Sequence, residues 1–306
     1  MSGYTVAIVG GTGTLGNPVT TEFLTTFRSS FPTVRVVVRN PTSEKAKDLA
    51  AKGAELHKLD EANLSESFDK AFAGVDAIVN TLPHTVSDAE KHALIDAVTR
   101  SSAKVYFLSE FGVDHRRSDF PGYEVDDWVI KKKIAADTRE KVKGKKVVAV
   151  YTGIFLQLAL AGVIGIDIEK NTFTSYGSPS QKVTLSSLSD IGKALARLSI
   201  LAIDPATSAK VPDELRIASD TLSFEEVRDV VARVKGVEKG KIVSEDLVAK
   251  KEGLKGTQSA PGAILSYIRV LIGEGKLDFS DNSNELINPG ESLWKWKTVE
   301  DQLRGL

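Results

Sequence analysis

Apolar residues along the chain follow two alternating rhythms. Short strand-like runs lie at residues 6–9, 34–39, 54–59, 76–80, 104–108 and 146–151, and the most uniform of them, VRVVVR, has the composition of a strand buried on both faces. Between them, apolar positions recur every three or four residues. Residues 17–27 and 41–52 are helical in pattern, the latter through Ala46, Leu49 and Ala50. Residues 63–72 place Leu64, Phe68 and Phe72 on one face, and residues 86–100 do the same with Val86, Ala89, Ala93 and Ala97. This alternation predicts an α/β fold built on a right-handed, doubly wound parallel sheet whose sixth strand is residues 146–151.

Beyond Thr152 the rhythm loosens. A helix over residues 188–203, a strand over 214–218 and a capping box of Ser223 and Glu226 ahead of Phe224 and Val227 remain legible. Residues 177–180 and 280–290 read as loops. The expected organisation is a dinucleotide-binding domain over 1–152 and a smaller α/β substrate domain over 153–306, some segments of which return to the first sheet.

The first run ends on GGTGTLG, which gives strand, glycine loop and helix in succession. Gly11, Gly13 and Gly16 spell GxGxxG, whereas Gly10, Gly13 and Gly16 spell GxxGxxG; counting from the strand end favours the second, because Gly10 directly follows Val9. Such a loop, with Thr12, Thr14 and Leu15 between the glycines, lets the backbone approach a pyrophosphate at a helix N-terminus. The sheet is therefore expected to be a Rossmann sheet.

Arg39 ends the second strand, where NAD-selective folds place an acid on the ribose 2′-hydroxyl. Arginine there suits the 2′-phosphate, so NADPH is the expected cofactor, with Lys45 as a weaker second phosphate ligand. Thr81, Leu82 and Pro83 follow the fourth strand, at the sheet end that faces ligand, and Glu110 and Phe111 follow the fifth, where they would shape a substrate pocket.

Composition narrows the function. Forty Lys and Arg against 41 Asp and Glu leave a net charge of -1, which gives no nucleic-acid footprint, and the absence of cysteine removes disulfides, zinc thiolates and thiol nucleophiles. The histidines show no metal-like spacing. No apolar run approaches the ~20 residues that span a bilayer, and the first strand begins too early for a targeting peptide. A cytoplasmic protein is expected, with a small-molecule substrate, no nucleic-acid or membrane partner, and a homodimer allowed.

The tyrosine and lysine four residues apart that serve most short-chain dehydrogenases are missing: none of the six tyrosines has a lysine at that spacing. The helix over residues 125–142 instead carries Lys131, Lys132 and Lys133. At 100° per residue they point to different sides. Lys131 shares a stripe with Ile134, Ala135, Thr138 and Val142, Lys132 lies next to Trp128, and Lys133 falls with Asp137 and Glu140, so Lys131 or Lys132 is the candidate. Such a lysine can exchange a proton if desolvated, or stabilise an oxyanion as a cation.

Together GGTGTLG, VVVRNPTSEKA, GVDAIVNTLP, VYFLSEFGVD and WVIK give the chain a resemblance to the isoflavone reductase-like and phenylcoumaran benzylic ether reductase proteins, which stand with the NmrA-like proteins among atypical short-chain dehydrogenases. The resemblance implies NADPH-dependent reduction of an apolar or aromatic carbonyl, enone or quinone-methide-like substrate. It implies that Lys131 is catalytic, that Phe155 packs on the nicotinamide and that Arg39 contacts the 2′-phosphate. Leu108 and Trp128 stand where the plant reductases carry proline and phenylalanine, so plant lignans and isoflavonoids are not the expected substrates. Some proteins of the group are dinucleotide sensors that bind a regulatory protein, which is the alternative reading.

Overall fold

A computed structural model describes residues 3–305. It divides into two compact units. The first comprises the chain up to Glu110, Lys133–Val150 and Ile191–Leu215, and the second comprises Phe111–Lys132, Tyr151–Asp190 and the chain from Arg216.

The elements begin with β1 (Thr5–Val9), α1 (Gly16–Leu24), β2 (Thr33–Val38), α2 (Glu44–Ala51), β3 (Glu55–Lys58) and α3 (Leu64–Phe72). There follow β4 (Ala77–Asn80), α4 (Asp88–Arg100), β5 (Val105–Phe107), α5 (Asp126–Lys141), β6 (Lys146–Tyr151), β7 (Ile154–Phe155) and the single turn α6 (Leu156–Ala159). Next are β8 (Ile166–Asp167), β9 (Thr172–Tyr176), β10 (Lys182–Ser186), α7 (Leu188–Ile203), β11 (Glu214–Arg216) and β12 (Asp220–Ser223). The chain continues through α8 (Phe224–Lys235), β13 (Lys241–Glu245), α9 (Leu247–Glu252) and α10 (Ala263–Gly273). Residues 280–290 are not wholly a loop: Asn284–Ile287 makes one helical turn.

The first unit holds a seven-stranded sheet in the order β11-β6-β5-β4-β1-β2-β3. The strands from β1 to β6 pair in parallel, and β11, which lies within the strand read over 214–218, adds an edge beside β6. From β1 the chain winds outward to β3, then crosses back so that β4 lies on the other side of β1. That reversal opens a crevice at the carboxyl ends of β1 and β4, which is where ligands bind such sheets. The residues Val6, Ala7, Ile8 and Val9 are fully buried, as a strand covered on both faces demands. Phe23 of α1 meets Phe31 edge-on at 4.8 Å, and Phe68 stacks on Phe72 at 5.6 Å in α3.

One helix face differs from its sequence pattern. In α4 Ala89 is exposed, and the buried residues are Glu90, Leu94, Ile95, Ala97 and Val98. Val86 and Ala97 of the expected stripe are buried, but the larger side chains decide the rotation of the helix, because Leu94, Ile95 and Val98 bury more apolar area than Ala89 and Ala93.

The tight β1–α1 connection depends on glycine. Gly10 has φ +78, and a Cβ on Gly16 would stand 2.1 Å from the Gly10 carbonyl oxygen and 2.7 Å from Thr81 Oγ1. Helix start and strand end thus touch backbone to backbone.

In the second unit two three-stranded sheets form, β12-β10-β7 and β13-β9-β8. The capping box of Ser223 and Glu226 starts α8 as its sequence predicts, and Gly236 ends that helix in the left-handed conformation at φ 66. Phe120, Tyr123, Trp128 and Tyr267 make an aromatic cluster with Phe120 and Tyr267 4.9 Å apart, and the buried Tyr267 hydroxyl donates to the carbonyl of Leu254 at 3.1 Å. Trp128 anchors the first turn of α5 in this cluster.

The last residue of FLSEFGVD is the polar centre of the same unit. Asp114 accepts two hydrogen bonds from Arg116, at 2.8 and 2.7 Å, and one from Arg216 Nε at 2.9 Å, and its side chain has no exposed surface. Burial alone would raise the Asp114 carboxyl, but hydrogen bonds from Arg116 and Arg216 outweigh it and hold the group below its ordinary value. Arg116 lies over the ring of Tyr151 and Arg216 over that of Phe279.

Asp114→Asn is expected to cost about 2 kcal/mol of unfolding free energy at pH 7, read by urea denaturation; two arginines would be left against a neutral amide, and the half-exposure of Arg116 moderates the loss. A depressed carboxyl contributes fully above its unfolded value near 4 and loses the contribution as pH falls through the folded value. The gap between wild type and variant should therefore shrink below about pH 4. Gly16→Ala is expected to lower stability by about 1–3 kcal/mol in the same assay, since backbone on both sides must move.

Candidate nucleotide site

A cleft of about 540 Å³ opens in the first unit at the reversal point of the sheet. The β1–β4 register, Val9 opposite Asn80, sets the glycine loop beside the turn that leaves β4. Thr81 seals the junction: its backbone N–H and its hydroxyl both donate to the Val9 carbonyl, at 2.9 and 2.7 Å. Gly13 N–H donates to the Gly10 carbonyl at 2.9 Å and curls the loop toward α1.

A polar network shapes the opposite wall. Asn80 donates to the Tyr106 hydroxyl at 3.0 Å and accepts from the Leu82 amide at 2.9 Å, while the Ser109 hydroxyl donates to the Leu82 carbonyl at 2.7 Å. Both peptide groups of Leu82 are therefore held. Burial pushes the Tyr106 phenol above its ordinary value, partly countered by the Asn80 hydrogen bond, so it stays a neutral partner.

The third wall carries charge. Arg39 follows β2, and its Nη2 donates to Glu90 Oε2 at 2.7 Å, with Glu61 3.5 Å from its Nε. Ser43 caps α2, accepting from the Ala46 amide, and Glu44 and Lys45 sit in that helix's first turn. Amides at a helix start, a loop with no room for a Cβ at Gly16 and an arginine at the end of β2 can take a phosphate-bearing nucleotide. Among the described residues no group of three or more His, Cys, Asp or Glu side chains could hold a metal ion.

Of the sequence candidates, Gly10, Thr12, Gly13, Arg39, Lys45, Thr81, Leu82 and Pro83 line this cleft. Three loop residues do not. Thr14 is exposed outside its walls, and Leu15 and Gly16 are buried, because a helix that starts against the Gly10 carbonyl turns its first residues inward. Glu110 is buried and lines no cavity described here. Val37, Asn40, Ser43, Glu44, Leu59 and Glu90 line the cleft without having been singled out. Asn40 and Ser43 had a signal, the turn-forming NPTS after a strand. Glu90 had none, since its helix face reads as solvent.

Phe111 and Phe155 lie in the second unit, where the Gly112 carbonyl accepts from the amides of Thr152 and Gly153 at 3.1 Å and draws their segments together. They line a separate cavity of about 160 Å³ with Ile154, Leu158, Ile164 and Leu265. No charged side chain lines it. Lys131 is half-buried on α5, Lys132 and Lys133 are exposed, and none of the three lines that cavity.

Comparison with known proteins agrees with this architecture. NmrA-like family domain-containing oxidoreductase malD of Malbranchea aurantiaca is 38% identical over 114 residues, which cover 32% of this chain and 34% of that protein. The match thus spans about a third of that relative. Oxidoreductase aprR of Aspergillus flavus is 24% identical over 290 residues, 92% of this chain and 93% of that one. Among solved structures, isoflavone reductase superposes with a TM-score of 0.78 at 17% identity, covering 99% of both chains. NmrA, a negative transcriptional regulator in complex with NADP, gives 0.73 at 17% identity, over 100% of this chain and 96% of the other. At such identities the two structures speak for the fold. The model of the NmrA-like family matches residues 2–256, and the chain belongs to that family.

Proposed function

We propose that this protein is an NADPH-dependent reductase of a small apolar or aromatic carbonyl, enone or quinone-methide-like compound. The observation that carries the reading is the cleft at the β1/β4 reversal, with glycine loop and arginine on its walls. The relatives malD and aprR are oxidoreductases by name, and NmrA was solved with NADP, which supports the cofactor and reaction class.

When bound, NADPH supplies a hydride from nicotinamide C4. The chain's own residues have the remaining tasks. Backbone amides of the glycine loop and the start of α1 hold the pyrophosphate, and Arg39, aided by Lys45, holds the 2′-phosphate. Thr81, Leu82 and Pro83 support the nucleotide, their backbone fixed by Val9, Asn80 and Ser109. Phe111 and Phe155 exclude water from an apolar substrate. Lys131 acts as the cation that polarises the acceptor oxygen and steadies the charge left when carbon receives the hydride.

A second reading, a dinucleotide sensor that turns nothing over, has one observation in its favour: Lys131 is absent from the walls of the apolar cavity in its own unit.

Calorimetric titration separates the two. NADPH should bind, and Arg39→Ala should weaken it about tenfold or more, the size of a lost charge-assisted pair. With a carbonyl and enone panel, Lys131→Ala should lower kcat at least about 100-fold, in the range of a lost oxyanion donor, while NADPH affinity stays unchanged. Equal turnover in that variant removes Lys131 from the mechanism. Stronger binding of the oxidised dinucleotides with no turnover on the panel favours the sensor.

A further inference from the structure

Glu90 is a buried acid in a polar cleft whose charge is only half answered. The residue is 4% exposed, its Oε2 accepts from Arg39, and its Oε1 has no hydrogen-bond partner. An ionised carboxylate oxygen out of water calls for a donor. Ser87 caps α4 by accepting from the Glu90 amide, which fixes the backbone from which the side chain reaches the cleft wall.

Its partner makes the position informative. Arg39 stands where dinucleotide folds read the ribose 2′ substituent, with an acid for the hydroxyl or an arginine for the phosphate. Here the arginine of that code is bonded to an acid supplied by α4. A 2′-phosphate adds nearly two negative charges, and to pair with Arg39 it must displace the Glu90 carboxylate or lie against it, where like charges repel. A 2′-hydroxyl meets no such opposition and has a proton to donate to the carboxylate that lines the cleft.

Resting on the reading of this cleft as a dinucleotide site, we propose that Glu90 sets its cofactor selectivity. Its carboxylate competes with the 2′-phosphate for Arg39 and accepts a hydrogen bond from the 2′-hydroxyl, so that NADH shares the cleft with NADPH. Arginine alone would predict a strict NADPH site.

Calorimetric titration of the full chain with NADPH and NADH tests this. In Glu90→Gln, NADPH should bind roughly tenfold more tightly and NADH severalfold more weakly, the scale of one charge-assisted hydrogen bond. Opposite movement of the two ligands is a result that general loosening of the fold cannot give. Glu61→Gln, which removes an exposed carboxylate 3.5 Å from Arg39, should shift the ratio less than about twofold. If Glu90→Gln does not fold, Glu90→Met leaves no polar group to bury and should shift the ratio in the same direction. A ratio within about twofold of wild type in the folded variant overturns the proposal while leaving the dinucleotide site standing. Wild-type protein that binds neither ligand overturns both.

Discussion

The pairing of β1 with β4 is the constraint on which the rest of the nucleotide cleft depends. Because the chain crosses back over β1 after β3, two strands distant in sequence end side by side, and the loops that leave them diverge around open space. Thr81 closes the base of that space through two hydrogen bonds to Val9, and Gly16 rests against the Gly10 carbonyl with no room for a side chain. Any enlargement there would push α1 away from the sheet and move the amides at its start. Chemistry and packing at this point are the same requirement.

A second fixed point serves the other unit. Asp114 binds two arginines, and those arginines rest on the rings of Tyr151 and Phe279, so one carboxylate ties together segments far apart in sequence. The last residue of the VYFLSEFGVD motif thus has an architectural task. The burial that would raise its pKa is overcome by two cations, which is the arrangement in which removing one partner is most costly.

The charged wall of the cleft is organised differently from the glycine wall. Arg39 is held by Glu90, a residue on a helix packed against the sheet, and not by anything near it in sequence. The partner of this arginine is therefore a residue 51 positions away. A reductase that is read as NADPH-selective from the end of β2 alone omits the acid that competes for that arginine.

By itself, the sequence determined the strand and helix order of the first unit, the glycine loop, the position of Arg39 and the capping box of α8. These are local matters: periodicity, strand-end glycines and helix caps are decided within a few residues. Tertiary structure alone decided where the strand read over 214–218 pairs, the two small sheets of the second unit and the rotation of α4. Short strands such as Ile154–Phe155 carry no period long enough to read, and their pairing comes from distant partners. Around α4 the stripe of Val86, Ala89, Ala93 and Ala97 read as the buried face, and Val86 and Ala97 are buried, but the larger Leu94, Ile95 and Val98 turned Ala89 outward and carried Glu90 inward. Whether an acid on a helix meets water or an arginine is settled by what the helix packs against, and no pattern along the chain records that.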